Sequence, residues 1–401
     1  MTDALDLIVV GGGPAGMMSG LLFARAGCRV TVLEKHADFF RDFRGDTVHP
    51  STMEILDQLG MLERFLERPH SRVDNVQIRL ADRDWTIGDL GHLRTPAPFI
   101  AFMPQWEFLD FLRQEAKAFP GFKLEMNAAV ESLLIEDGAI GGVRLADGRE
   151  LRAPLTIAAN GRSSIVRRAE MLEVETLGAP MDVLWFRVGK SEQGGGALRG
   201  SFERGRIAVL IDRGDYWQCA LVIPKGGVDD LKAKGLNHVR SLIAGAAPDL
   251  DLGEIDDWQD FHLLSVSLDR LRQWQRPGLL AIGDAAHAMS PIGGIGINLA
   301  IQDAVAAANA LAGPLAGRHD VNPLLHKVQQ RRLLPTRVIQ AGQKAAQNNI
   351  IGRLLGPGEP IRQAPLPVRL LDRFRLLRRI PGRMIGLGVR RERVSSPKAE
   401  F

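Results

Sequence analysis

The sequence predicts an α/β protein, α+β overall, in which a parallel sheet carrying a β-meander is interrupted by an inserted antiparallel sheet. Three observations carry that expectation. Asp6-Leu7-Ile8-Val9-Val10 is a short apolar run ending in glycines, the pattern of a strand buried on both faces. Asp-Gly and Gly-rich turns break the middle of the chain into hairpin-length runs. Leu279-Leu280-Ala281-Ile282 then repeats the buried-strand pattern, so the first unit resumes after the insertion.

Taken in order, Pro14 to Ala26 carries Met17, Leu21, Leu22 and Ala24 with no breaker before Gly27. Arg29 to Leu33 follows as a β-rich run, completing a βαβ unit. Ser51 and Glu54 precede Ile55, Leu56 and Leu59, which predicts a capping-box helix stopped at Gly60. Gln105 to Ala116 spaces Trp106, Leu109, Leu112 and Ala116 as one buried helical stripe. From Lys123 to Ala159, Asp137-Gly138 and Asp147-Gly148 separate the runs of a β-meander that returns to the parallel sheet. Met181 to Pro224 alternates strand-like runs with Gly194-Gly195-Gly196 and Arg213-Gly214-Asp215, an antiparallel sheet on which a substrate could lie. An Ala-rich helix is expected from about Asn298 to Ala312. The division is discontinuous: 1–73, 97–178 and 266–355 form a nucleotide-binding domain, 74–96 and 179–265 a substrate domain, and 356–401 a basic helical segment.

With 401 residues, 45% of them hydrophobic and 24% charged, the chain has room for a large core and is neither disordered nor collagenous. A net charge of +4 spread over this length argues against a nucleic-acid partner. Cys28 and Cys219 are the only cysteines, which excludes a disulfide framework, a Cys-rich metal site and a redox CxxC, and predicts a cytoplasmic home. The N-terminus has no basic leader with a cleavage site. The apolar region Leu279 to Leu315 is interrupted by Asp284, His287 and Asp303, a poor bilayer span.

Gly11-Gly12-Gly13-Pro14-Ala15-Gly16 is a G-x-G-x-x-G between strand and helix, where absent side chains let backbone N–H groups approach a diphosphate. Glu34 closes the next strand, with Lys35 beside it, where a carboxylate would accept from an adenosine ribose. NAD and FAD remain undistinguished by this segment. Gly283-Asp284-Ala285-Ala286-His287 follows a buried strand, and Pro291-Ile292-Gly293-Gly294-Ile295-Gly296-Ile297-Asn298 opens a helix.

With these segments the chain resembles the FAD-dependent aromatic hydroxylases, the single-component flavoprotein monooxygenases similar to 4-hydroxybenzoate hydroxylase and the ubiquinone-biosynthesis hydroxylases. The resemblance spans most of the first 315 residues. It implies a Rossmann-like FAD-binding domain with FAD as the tight cofactor and NADH or NADPH as a transient co-substrate. Asp284 would bind the ribityl chain, and Pro291, Gly294, Gly296, Ile297 and Asn298 would lie against the flavin. Arg44 matches an arginine reaching the flavin region and Gln105 a glutamine near the ribityl chain. Asn160-Gly161-Arg162-Ser163-Ser164 resembles the family's Asp-Gly motif with Asn160 in place of the usual Asp, which removes a charge.

The implied reaction is hydroxylation of an aromatic, phenolic or quinone-type substrate with O2 through a C4a-hydroperoxyflavin. The alternatives are an FAD-dependent oxidase or reductase without oxygen insertion, and a non-catalytic carrier. Pro291, Arg44 and Tyr216, the single tyrosine, are the candidates for acting on the reaction, with His49 and His287 as weaker candidates for moving a proton. Trp185, Phe186, Phe202 and Trp217 are candidates for an aromatic pocket.

Near the C-terminus, Arg369, Arg373, Arg375, Arg378, Arg379 and Arg383 are interleaved with Leu370, Leu371, Phe374, Leu376, Leu377 and Ile380. The stretch fits a helix packed on the protein with snorkelling arginines, the preferred arrangement, or an amphipathic helix making peripheral membrane contact through 369–393. The second would suit a polyprenyl-phenol substrate. The sequence leaves oligomeric state open.

Overall fold

The computed structural model describes residues 4–40, 47–81, 83–168, 171–190, 198–247, 250–253, 255–356, 361 and 363–400. Arg44 and the Gly194-Gly195-Gly196 run lie outside the described residues.

Leu7–Val10, buried at all four positions, pairs in parallel with Val30–Leu33 on one side and Leu155–Ala158 on the other. Phe122–Glu125 and Leu279–Ala281 extend the parallel sheet outward, and Gln275–Arg276 closes the latter edge antiparallel. Val130–Glu136, Ala139–Leu145 and Glu150–Arg152 form the expected meander, whose chain then re-enters the parallel sheet.

The Pro14–Arg25 helix is buried from Ala15 to Ala24. That all-round burial follows from its near-absence of polar side chains: one side lies on the parallel sheet and the other on the Gly296–Ala316 helix. The second helix is longer at both ends than the sequence predicts. It belongs to Ile292–Ala316, a stretch long and apolar enough by composition to cross a membrane, yet 72% of its most apolar window is buried inside the protein.

Two local expectations are corrected. Ser51 does not cap a helix, because Pro50 already occupies the first turn of Pro50–Gln58 and His49 stands at the cap; Glu54 instead pairs with Arg391 at 2.8 Å. In Gln105–Ala116 the buried stripe is centred on Phe108, Leu109, Phe111, Leu112 and Ala116, with Trp106 only half-buried.

The inserted sheet has seven strands, in the order His262–Leu264, Met181–Gly189, Tyr216–Pro224, Arg206–Asp212, Leu198–Glu203, Asn75–Leu80 and Arg83–Asp89, antiparallel throughout except that Leu198–Glu203 meets Asn75–Leu80 in parallel. Alternation gives it two unlike faces. Phe186, Trp217, Cys219 and Leu221 point to one face and are covered by Leu231, Val239 and Ile243 of the Val228–Lys234 and Leu236–Ala246 helices. Val183, Trp185, Ile207, Val209, Ala220 and Val222 point to the other, toward Ile292. Register decides this: Trp185 lies opposite Ala220 and Val183 opposite Val222, whereas Phe186 lies opposite Cys219. Of the four aromatic candidates, Trp185 and Phe202 therefore face the parallel-sheet unit, while Phe186 and Trp217 are core beneath the helices.

Candidate functional site

Gly11 donates its N–H to Leu33 O at 2.8 Å, and Gly12 donates to Glu34 Oε2 at 2.9 Å, so the first turn is pinned to the end of the neighbouring strand. Glu34 Oε1 accepts from the His36 N–H at 3.1 Å, and Lys35 is exposed beside it. A Cβ on Gly16 would lie 1.8 Å from Gly11 O, so only glycine lets the helix start this close to the strand. Gly13 is different. A Cβ there would meet nothing within 4 Å, and no side chain caps the Pro14–Arg25 helix. The open N–H groups of Ala15 and Gly16, at the positive end of a buried helix, suit the diphosphate of a dinucleotide.

The second turn touches the first: a Cβ on Gly283 would lie 3.2 Å from Ala15 Cβ. Gly283 donates to Asp303 Oδ2 at 3.0 Å, and the same carboxylate accepts from His287 Nε2 at 2.6 Å and Arg332 Nε at 2.9 Å. Arg332 reaches Glu392 Oε1 at 3.1 Å, and Asp303 and Arg332 are fully buried. Burial works to raise the Asp303 carboxyl, but His287 and Arg332 together hold it below the ordinary carboxylate range. His287 is thus buried and tied to Asp303 through Nε2, while its Nδ1 has no hydrogen-bond partner within the protein.

Asp284 is partly exposed, and its Oδ2 accepts from Arg162 Nε at 3.2 Å. Arg162 also donates to Met289 O at 3.0 Å and Ser265 O at 3.3 Å. Arg167 reaches Ala285 O at 2.9 Å and Asp269 at 2.7 Å. Asn160 Oδ1 accepts from Ser164 Oγ at 2.6 Å, so the amide oxygen supplies the local acceptor that an aspartate would, without the charge. Gly161 stands beside it with open space where a Cβ would be.

The Pro291–Asn298 turn is closed by Gly294 donating to Pro291 O at 3.1 Å. At φ +62° and with a Cβ that would lie 2.3 Å from Thr47 Oγ1, Gly294 admits no side chain. Asn298 Nδ2 donates to Thr47 O and Gly294 O, both at 3.3 Å. Its Oδ1 accepts from the His49 N–H at 2.8 Å and Thr52 Oγ1 at 2.7 Å. The Asn298 side chain is consumed within the protein, and what it leaves for a ligand is the backbone of Gly296 and Ile297 at an uncapped helix start.

Three buried glutamines hold the same loop from behind, and the sequence reading missed them. Gln340 donates to Asp269 O and Ala288 O, Gln343 to Ser290 O and Ile292 O, and Gln347 to Ser290 Oγ. Their signal was present, since positions 340, 343 and 347 form one helical stripe, but a polar stripe ordinarily faces solvent.

The structure separates two other candidates from this place. Lys225 Nζ contacts Asp182 and Ser265, each at 2.8 Å, so the Pro224 end of the Tyr216–Pro224 strand is the one next to Arg162 and Asp284. Tyr216 is at the opposite end, about 26 Å away along an extended strand. Tyr216 is therefore far from Asp284, on the strand face that Ala220 and Val222 share. His49 is fully buried, donates Nδ1–H to Ile385 O at 2.7 Å, and burial pushes its imidazole down to about 4. It is neutral at physiological pH and serves packing. Gln105 is half-buried at the first position of its helix.

The family described as "FAD binding domain" matches residues 4–342. The chain is 35% identical over 336 residues to the 6-methylpretetramide 4-monooxygenase of Streptomyces rimosus, covering 82% of this chain and 80% of that enzyme. It is 30% identical over 318 residues to the rifampicin monooxygenase of Streptomyces venezuelae, covering 75% of this chain and 62% of that one. Among solved structures, the p-nitrophenol 4-monooxygenase of Pseudomonas putida superposes with a TM-score of 0.74 at 20% identity, covering 95% of each chain, which bears on the fold alone.

Proposed function

Because this chain belongs to the family of FAD-dependent aromatic monooxygenases, we propose that it inserts one oxygen atom of O2 into an aromatic, phenolic or quinone-type substrate, drawing electrons from NADH or NADPH. The observation that carries the reading is the contact of two turns built for backbone recognition, one open at Gly13 and the other closing on Ala15, beside an apolar sheet face. When bound, FAD supplies the redox chemistry and the activation of O2.

In this reading Gly11, Gly13, Ala15 and Gly16 take the diphosphate through their backbone, and Glu34 and Lys35 flank the adenosine. Asp284, oriented by Arg162, accepts from the ribityl hydroxyls, with Asn160, Gly161 and Gln105 near that chain. Pro291, Gly294, Gly296 and Ile297 present backbone to the ring, and Asn298 keeps that backbone in place. Arg44 is assigned to the flavin region by its place in the sequence motif.

The chain's own contribution to the reaction is positioning and exclusion of water. On the sheet face toward Ile292, Val183, Ile207 and Ala220 are already covered by Ile351 and Leu354, while Trp185 and Val209 stay partly open, an apolar surface that suits an aromatic ring.

The purified protein is expected to be yellow and to bleach on anaerobic addition of NADPH with substrate. With isotopically labelled O2, the product should gain one labelled oxygen atom. Oxidation of the substrate without label in the product would overturn oxygen insertion and leave an oxidase.

A further inference from the structure

The Leu366–Arg373 and Arg375–Leu387 helices are joined at Phe374, whose backbone is extended. Their inner sides are firmly seated. A Cβ on Gly382 would lie 1.9 Å from Asp89 O, and Gly386 abuts Leu90 and Leu93. Asp372 accepts from Arg83 Nη2 and from the Thr86 N–H, each at 3.1 Å, and Ile385 O accepts from His49. Arg378 donates to Leu371 O and Asp372 O, tying one helix to the next.

The outer side is unlike any other surface of the described residues. Fourteen large hydrophobic side chains are exposed among them, and eight fall between Leu366 and Val389. Leu366 and Leu370 stand one turn apart on the first helix, Phe374 and Leu377 follow at the junction, and Leu376, Ile380 and Met384 form a row on the second helix. Leu376 is 70% exposed and Ile380 66%, although these helices have an inner side that buries Leu387. Beside them stand the exposed arginines Arg369, Arg373, Arg379 and Arg383, and Arg375, which also reaches Asp89 at 3.5 Å. Asp372 is the single acid from 366 to 391, and it is already paired with Arg83.

We propose that this face docks on an anionic lipid bilayer, the apolar rows entering the acyl boundary and the arginines contacting the lipid headgroups. An exposed apolar patch of this extent calls for a partner. The arginine fringe selects one that is negatively charged as well as apolar, and a bilayer with anionic lipid supplies both in one plane. A second copy of the chain meets the apolar requirement poorly, because a two-fold contact would bring like-charged arginine rows together. Nucleic acid offers the apolar rows no burial. On its reverse side the same helix packs Ile385 and Leu387 among Leu90, Phe102, Ile211, Trp185 and Val209, so one helix separates the docking face from the apolar sheet floor.

The test is co-sedimentation of the full chain with vesicles of phosphatidylcholine alone and of phosphatidylcholine mixed with phosphatidylglycerol, at low and high salt. Binding is expected to the mixed vesicles, to weaken with salt, and to fall roughly tenfold in Leu376→Asp/Ile380→Asp and in Arg373→Gln/Arg379→Gln/Arg383→Gln. Both variants change exposed side chains, so flavin content and thermal midpoint should match the parent. No sedimentation with the mixed vesicles at low salt overturns the proposal, and so does binding that both variants leave intact. A dimer seen by light scattering and dissolved by both variants would assign the face to a second copy and overturn it equally.

Discussion

The two turns that meet at Ala15 and Gly283 are held by different means. The first is shaped by what is missing: Gly16 lies against Gly11, Gly13 faces open space, and one half-buried carboxylate, Glu34, pins the loop. The second is shaped by what surrounds it. Asp303, His287, Arg332 and Glu392 form a buried charged chain behind Gly283, while Gln343, Gln347 and Asn298 hold the segment that follows. One turn is a steric device written in six consecutive residues; the other is a polar scaffold assembled from three helices and the C-terminal stretch.

The largest difference is expected from deleting the buried acid. Asp303→Ala removes the buried acceptor shared by Gly283, His287 and Arg332, leaves Arg332 only Glu392, and should cost about 3–5 kcal/mol of stability. Glu34→Ala on the first turn removes one half-buried acceptor and should cost about 1–3 kcal/mol. Thermal unfolding of the two flavin-free variants compares them, and an equal or larger loss for Glu34→Ala would break the distinction.

Next come the glycines. Gly16→Ala forces the helix off the strand and should destabilise the flavin-free protein by about 1–3 kcal/mol. Gly13→Val should leave that stability near the parent's while abolishing flavin retention on gel filtration, because its side chain grows into the space assigned to the diphosphate. Full flavin occupancy in Gly13→Val would place the nucleotide elsewhere.

The pH response should separate buried histidine from buried acid. His49 titrates near 6.5 in the unfolded chain and is pushed down to about 4 in the fold. The unfolded state therefore binds the proton first, and stability contributed by keeping His49 neutral is lost as pH falls from about 6.5 toward 4. Asp303, held below the carboxylate range, contributes stability that is lost only as pH falls through its lowered folded value. His49→Asn should flatten the first decline and leave the second; denaturant unfolding across pH reads both, and an unchanged slope would remove His49 as its source.

The smallest stability effect is expected at Asp284. Its pair with Arg162 is partly exposed, so Asp284→Ala should change flavin-free stability by no more than about 1 kcal/mol. The same variant should lose flavin, and undiminished content would undo the ribityl assignment.

Much of the parallel-sheet unit was legible because its signals are local. A strand buried on both faces reads as an apolar run, and the Gln105–Ala116 helix falls on the predicted residues. The faces of the antiparallel sheet were not legible to the same degree. Trp185 and Phe186 are neighbours in sequence, and only the pairing of Trp185 with Ala220 and of Phe186 with Cys219 decides which one looks toward Ile292. A residue's position along a strand likewise says nothing of which strand end meets the neighbouring unit, and only the contacts of Ser265 with Lys225 and Arg162 put the Pro224 end there.

By itself, then, the sequence determined the glycine turns, the order of the elements and the chemistry of a dinucleotide site, because close backbone approach and hydrophobic period depend on neighbours a few residues apart. Tertiary structure alone decided that Arg162 orients Asp284, that Asn298 spends its amide on Thr47 and His49, and that Glu392 stands behind Asp303 through Arg332. Arg162 and Asp284 are 122 residues apart and Asn298 is 251 and 249 residues from Thr47 and His49, and a buried charge or amide has no periodic signature: its identity as scaffold is set by which groups the fold brings within hydrogen-bond reach.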